Sequence, residues 1–157
     1  MAQMNLVDIH PIDSTNLGVY REPFDRVVDI TGFTLWPVAG SNFVWDFQHP
    51  GTLERGRLLH VEGFLKGGSV ALNHRGQAYV VTRQDFSLAL LFPSTPRRIS
   101  LGGGNYKILP KDSKKAFPAG WPRALISQIV RARFRTVVII NEAFLLEKIG
   151  LRSGPAL

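Results

Sequence analysis

The chain has 157 residues, 45% of them hydrophobic and 20% charged, with no cysteine and a formal net charge of +7. That length suits one packed domain, the composition lies far from the disordered corner, and the lack of thiols excludes disulfide frameworks, thiolate zinc sites and cysteine nucleophiles. No apolar run is long enough to span a membrane as a helix, and the N-terminus lacks the basic segment and apolar core of a secretory signal, so the expectation is a soluble intracellular protein or one incorporated in a virion.

Residues 1–23 show neither helical nor strand periodicity and contain Pro11, Gly18 and Pro23. They are expected to form an extended N-terminal arm, ahead of a single β-rich domain over 24–157. On that reading, deleting residues 1–20 disturbs assembly but not folding.

Strand signals follow in series. Residues 26–35 carry Val27, Val28, Ile30, Phe33 and Leu35, types that suit a pleated, half-buried surface. In 41–47 Phe43, Trp45 and Phe47 share a face, and Gln48 to Gly51 form a turn. Residues 58–65 alternate, with Gly67 and Gly68 breaking the run. Strands at 69–73 and 77–83 flank the turn signal Asn73-His74-Arg75-Gly76, and 86–92 is the clearest strand in the chain. Strands at 99–101 and 106–109 read as a hairpin around Gly102-Gly103-Gly104-Asn105.

The last third changes character. Leu125, Ile126, Ile129, Val130 and Phe134 have helical spacing behind Pro122, which predicts one amphipathic helix over 122–134. A buried strand at 136–140 and a short C-terminal helix over 141–148 complete the list. No internal repeat appears in the sequence. The fold class is therefore mainly β, a sandwich or barrel with jelly-roll-like arrangements included.

Charge is the most informative feature. Between Arg97 and Arg135 stand ten basic residues and one acid, while the stretch from Met1 to Glu62 sums to −4. Arg97, Arg98, Lys107, Lys111, Lys114, Lys115, Arg123, Arg131 and Arg135 are the candidate anion- or partner-binding residues. Lys111, Lys114 and Lys115 fall in a Pro-bounded segment expected to be exposed. Tyr106, Phe117, Trp121 and Phe134 interleave with the bases, a combination that grips single-stranded nucleic acid when the rings are accessible and a core-plus-solvated-face pattern when they are not.

Other constellations are weaker. Gly102 to Lys107 lacks the Ser or Thr and the helix start that a phosphate loop requires. His49, His60 and Glu62 are the only candidate metal ligands, without any metal-binding spacing. No serine elbow or other motif fixes a catalytic chemistry, and none calls for a cofactor. Phe33, Trp36, Phe43, Trp45 and Phe47 read as core, with Trp36 and Phe43 the candidate interface aromatics because strict alternation puts them at strand ends.

Three function classes remain. The leading expectation is a non-enzymatic structural subunit of a larger assembly, most specifically a virion component such as a capsid, tail or spike protein. Its basic surface would meet the acidic end of another copy or of another subunit. A nucleic-acid-binding protein using residues 97–135 is the alternative, and a metal-dependent enzyme comes third.

Overall fold

A computed structural model describes residues 6–67, 75–102, 104, 106–110, 118, 120–132 and 135–153. The chain is mainly β, as expected, and divides into two compact units that interleave in sequence. Unit 1 comprises Met1–Glu22 and Pro96–Phe144, and unit 2 comprises Pro23–Thr95 and Leu145–Leu157.

The expected arm is instead part of a sheet. β1 (Leu6–Ile12) and β2 (Thr15–Tyr20) form an antiparallel hairpin, with Val7, Ile9, Leu17 and Val19 buried. β1 and β2 lie inside the six-stranded sheet of unit 1, whose order is β10–β11–β12–β2–β1–β9, with β9 at Arg97–Ser100, β10 at Tyr106–Leu109, β11 at Ile126–Ala132 and β12 at Arg135–Ile140. Every neighbouring pair is antiparallel except β12 and β2, which run parallel through Val137–Asn16, Val138–Leu17 and Ile139–Gly18. Gly18 is required at that seam: a Cβ there would lie 2.7 Å from Val137 and 2.9 Å from Val7. The core of one face gathers Val7, Ile9, Leu101, Val130, Val137 and Ile139.

Unit 2 repeats the plan. Its sheet has the order β3–β7–β8–β6–β5–β4, from β3 (Arg26–Asp29), β4 (Thr34–Pro37), β5 (Val44–Gln48), β6 (Arg55–His60), β7 (Gln77–Arg83) and β8 (Phe86–Phe92). Here the single parallel pair is β6 with β8. A helix follows the last strand of each meander: α1 (Val61–Lys66) after β6, and α2 (Glu142–Ser153) after β12. Reading β9, β10, β11, β12, β1, β2 against β3, β4, β5, β6, β7, β8 reproduces every strand neighbour and its direction. The two units are thus one topology used twice, with the last two strands of unit 1 supplied from the start of the chain. The repeat is one of strand order and leaves no repeat in the sequence.

Several expected elements differ in detail. The strand expected over 26–35 breaks at Ile30, because Asp29 Oδ1 accepts the Thr31 N–H at 2.8 Å and Gly32 takes a φ of 87°. The run 58–65 stops being a strand at His60, whose Nδ1 accepts the Gly63 N–H at 3.0 Å and so starts α1. The helix expected over 122–134 is a 3-10 turn at Arg123–Leu125 followed by strand β11. A register shift between Ile126 and Gln128 inserts one extra residue, so Ile126, Ile129 and Val130 mimic helical spacing while lying on a strand whose Ile129 and Val130 are buried on opposite faces. β9 and β10 do not form a hairpin with each other; they pair with β1 and β11 and end the sheet. The strand expected at 69–73 and the first half of its turn lie outside the described residues. The strands at 86–92 and 136–140 and the C-terminal helix stand where expected, the helix running on to Ser153.

Removing residues 1–20 deletes two interior strands, so the truncated chain is expected to lose the dispersed amide spectrum of unit 1. A truncated protein that keeps those resonances would return residues 6–20 to the status of an arm. A second outcome concerns His60, which is buried and held below its ordinary pKa of 6.5 by that burial, only partly offset by the nearby charge of Glu62. The unfolded chain takes up the proton first, so this contribution to stability is full above about pH 6.5 and falls as the pH drops from there toward the lower folded pKa. Protonation also removes the capping acceptor, worth about 0.5–2 kcal/mol. Urea unfolding at pH 7.5 and pH 5 is expected to show a smaller acid loss for His60→Asn, which keeps a capping acceptor, than for the parent. Equal losses would remove His60 as the cause.

Candidate functional site

The described basic residues of the sequence fall at several places in unit 1. Arg98 pairs through its Nε at 3.1 Å with Asp8, a carboxylate only 1% exposed on β1; Arg21 binds the other oxygen of the same carboxylate. Arg97 is exposed beside it on β9. Lys107 on β10 stands directly across from Arg131 on β11, both exposed, and neither has an acidic partner among the described residues. Arg123 is exposed on the 3-10 turn, and Arg135 is half-buried on β12 opposite Ala132. Lys111, Lys114 and Lys115 lie outside the described residues. None of the described bases sits on an amphipathic helix, since 126–132 is a strand.

The units also redistribute the charge. Unit 1 holds eleven lysines and arginines against five carboxylates, a net +6, and unit 2 holds eight against seven, a net +1. The acidic stretch from Met1 to Glu62 is therefore not an acidic end of the molecule: residues 1–22 fold with the basic 96–144, and Asp8 neutralises part of that surface.

Of the aromatics that interleave with these bases, Tyr106 and Trp121 are described, and both are half-buried. Tyr106 packs against the hydrophobic core of its sheet, on the face opposite to Lys107 and Arg131, and Phe117 and Phe134 lie outside the described residues. The candidate metal ligands are engaged elsewhere. His49 Nδ1 accepts the Gly51 N–H at 3.0 Å, His60 caps α1, and Glu62 pairs with Lys66 at 2.9 Å. Among the described residues no three His, Asp or Glu side chains gather closely enough to hold a metal ion.

The aromatic cluster divides. Phe33 and Phe47 stack in the core of unit 2 with ring centroids 5.4 Å apart, and Trp45 packs against that core. Trp36, on the end strand β4, keeps 42% of its surface exposed. Phe43 is half-exposed and meets Phe64 of α1 edge to face at 5.3 Å. Phe43 and Phe64 belong to the wall of a cleft of about 430 Å³ within unit 2. The β4–β5 connection supplies Val38 to Ser41, and α2 supplies Lys148 and Ile149. Arg57 on β6 lines the same space.

Register explains how Arg57 is aimed. Trp36, Asp46 and Arg57 are consecutive cross-strand neighbours on β4, β5 and β6, so all three share one face of the sheet. Asp46 Oδ1 accepts from Arg57 Nε at 2.7 Å and fixes the guanidinium. Its two Nη groups have no protein partner among the described residues. The sequence singled out Trp36 and Phe43 from this region but missed Arg57, Phe64, Lys148 and Ile149. They come from three separate stretches of chain, and only the register of β5 with β6 joins Asp46 to Arg57.

No protein-family model and no curated protein matches the sequence. Among solved structures, the fold is similar to that of the scaffolding protein TtCheW from Thermoanaerobacter tengcongensis, with a TM-score of 0.64 over 88% of this chain and 90% of that one. Sequence identity across the match is 12%, a likeness of fold. It overturns the virion reading: the fold found across nearly the whole chain is that of a scaffolding protein rather than of a capsid, tail or spike component.

Proposed function

We propose that this protein is a non-enzymatic scaffold that holds other proteins together, with the basic surface of unit 1 as one of its contact faces. The observation that carries the reading is the likeness of fold to a scaffolding protein over 88% of this chain and 90% of that one. Fold alone does not assign function, so the reading is argued from the surface as well. Lys107 and Arg131 are like charges placed directly opposite on neighbouring strands, an arrangement that weakens a sheet by about 0.2–1 kcal/mol when nothing neutralises it. Ile108, the next residue on β10 and directed to the opposite face, is 56% exposed on this end strand of the sheet. An end strand with two cations on one face, neither with an acidic partner among the described residues, suits the acidic surface of a partner protein that meets this edge.

The test uses the full chain in the organism that makes it, with a photo-crosslinking amino acid in place of Ile108. Crosslinks to one or a few proteins are expected, reduced at least about tenfold by Lys107→Glu with Arg131→Glu, a change of about 1.4 kcal/mol in binding. The same double variant is expected to melt close to the parent, because it exchanges one like-charge pair for another. Crosslinks that persist undiminished would exclude Lys107 and Arg131 from the contact at this edge. Crosslinks to nucleic acid alone would exclude the scaffold reading.

A further inference from the structure

The cleft of unit 2 is a second surface, on the other unit, and its binding does not depend on the basic face of unit 1. Its walls are apolar, from Val38, Phe43, Phe64 and Ile149, and it opens on two cations, Arg57 and Lys148. Arg57 is the informative residue. Its side chain is 21% exposed, so most of it is out of water, yet Asp46 occupies only Nε. The remaining guanidinium donors border a space that no protein acceptor fills among the described residues. A guanidinium already fixed by one carboxylate loses little freedom on binding another, and its paired Nη donors match the two oxygens of a carboxylate.

We propose that this cleft takes an extended segment of a partner protein in which an Asp or Glu stands beside apolar side chains. The carboxylate binds the free side of the Arg57 guanidinium, and the neighbouring apolar side chains lie against Phe43 and Phe64. A volume of about 430 Å³ lies in the range of pockets that enclose a small ligand or a few side chains. Continuity favours a polypeptide over a free acid. β4 ends its sheet, and Trp36 lies on the same face as Arg57, one strand beyond Asp46. A chain leaving the cleft therefore has an exposed indole and an unpaired strand edge to run along.

The experiment titrates the intact chain, observed by amide correlation spectra, with the synthetic peptide acetyl-Ser-Phe-Glu-Leu-Ser-amide. Shifts are expected at residues 38–44, Phe64 and Ile149. The same peptide with Gln for Glu is expected to bind about tenfold more weakly, and Arg57→Gln is expected to abolish that difference between the two peptides. Equal binding of the Glu and Gln peptides to the parent protein overturns the proposal, as does an absence of shifts in the cleft at millimolar peptide. Binding of 3-phenylpropionate as tight as that of the peptide overturns the polypeptide occupant. Should Arg57→Gln fail to fold, the comparison of the two peptides on the parent decides the matter. Loss of crosslinking at Ile108 with this cleft intact, or the reverse, separates the two surfaces.

Discussion

The parallel seam between β2 and β12 governs unit 1, because it is where the two ends of the chain's course meet. Only three residue pairs define it, Val137–Asn16, Val138–Leu17 and Ile139–Gly18, with the Asn16 amide also donating to the Thr136 carbonyl at 3.4 Å. A one-residue slip would turn Val137 and Ile139 to the other face and drive Gly18 away from the one place where its missing side chain is needed. The hairpin β1–β2 must therefore arrive in one register, and β1 in turn carries β9 at the far end of the sheet. In unit 2 the corresponding seam, β6 with β8, joins strands close in sequence through α1 and β7. The same topology is local in one unit and closes across the length of the chain in the other.

Asp8 shows what that closure does to the electrostatics. A carboxylate almost wholly out of water is tolerable only with good partners, and removing one partner of such a pair typically costs about 3–5 kcal/mol. Arg21 and Arg98 supply those partners from the segment after β2 and from β9. The interaction fastens the N-terminal hairpin to the end strand of its sheet and offsets part of the charge that Arg98 carries. Charge counted along a sequence overstates charge on a surface whenever a buried acid claims some of it.

What could be read from the sequence is what depends on nearby residues. Phe86 to Phe92 and the run Val137 to Ile140 declared themselves as strands by side-chain type, and the mainly-β class came with them. The helix over 122–134 was misread because a bulge near Ser127 changes the phase of a strand in a way that spacing alone cannot distinguish from a helical turn. His60 ended a strand through a hydrogen bond to the helix it caps, which alternation does not reveal. The hairpin β1–β2 was hidden because Pro11 and Gly18 weaken any local strand signal, and the hairpin's place in the sheet depends on partners distant in sequence, on β9 and β12. The cleft was invisible for the same reason: Arg57 gains its meaning only from Asp46, Phe64 and Lys148.

The two candidate surfaces differ in how they would bind. Lys107 and Arg131 are exposed charges on a sheet edge, so their attraction for an acidic partner is screened by salt and acts mainly on the rate of encounter. Arg57 is mostly withdrawn from water and already oriented by Asp46, so a carboxylate reaching it meets a stronger, less screened field and leaves slowly. The proposed scaffold would benefit from that division. One face would recruit over distance and release readily, while the other would hold one segment in one geometry. The duplicated topology makes the division available, because each unit can present its own surface without disturbing the strand order of the other.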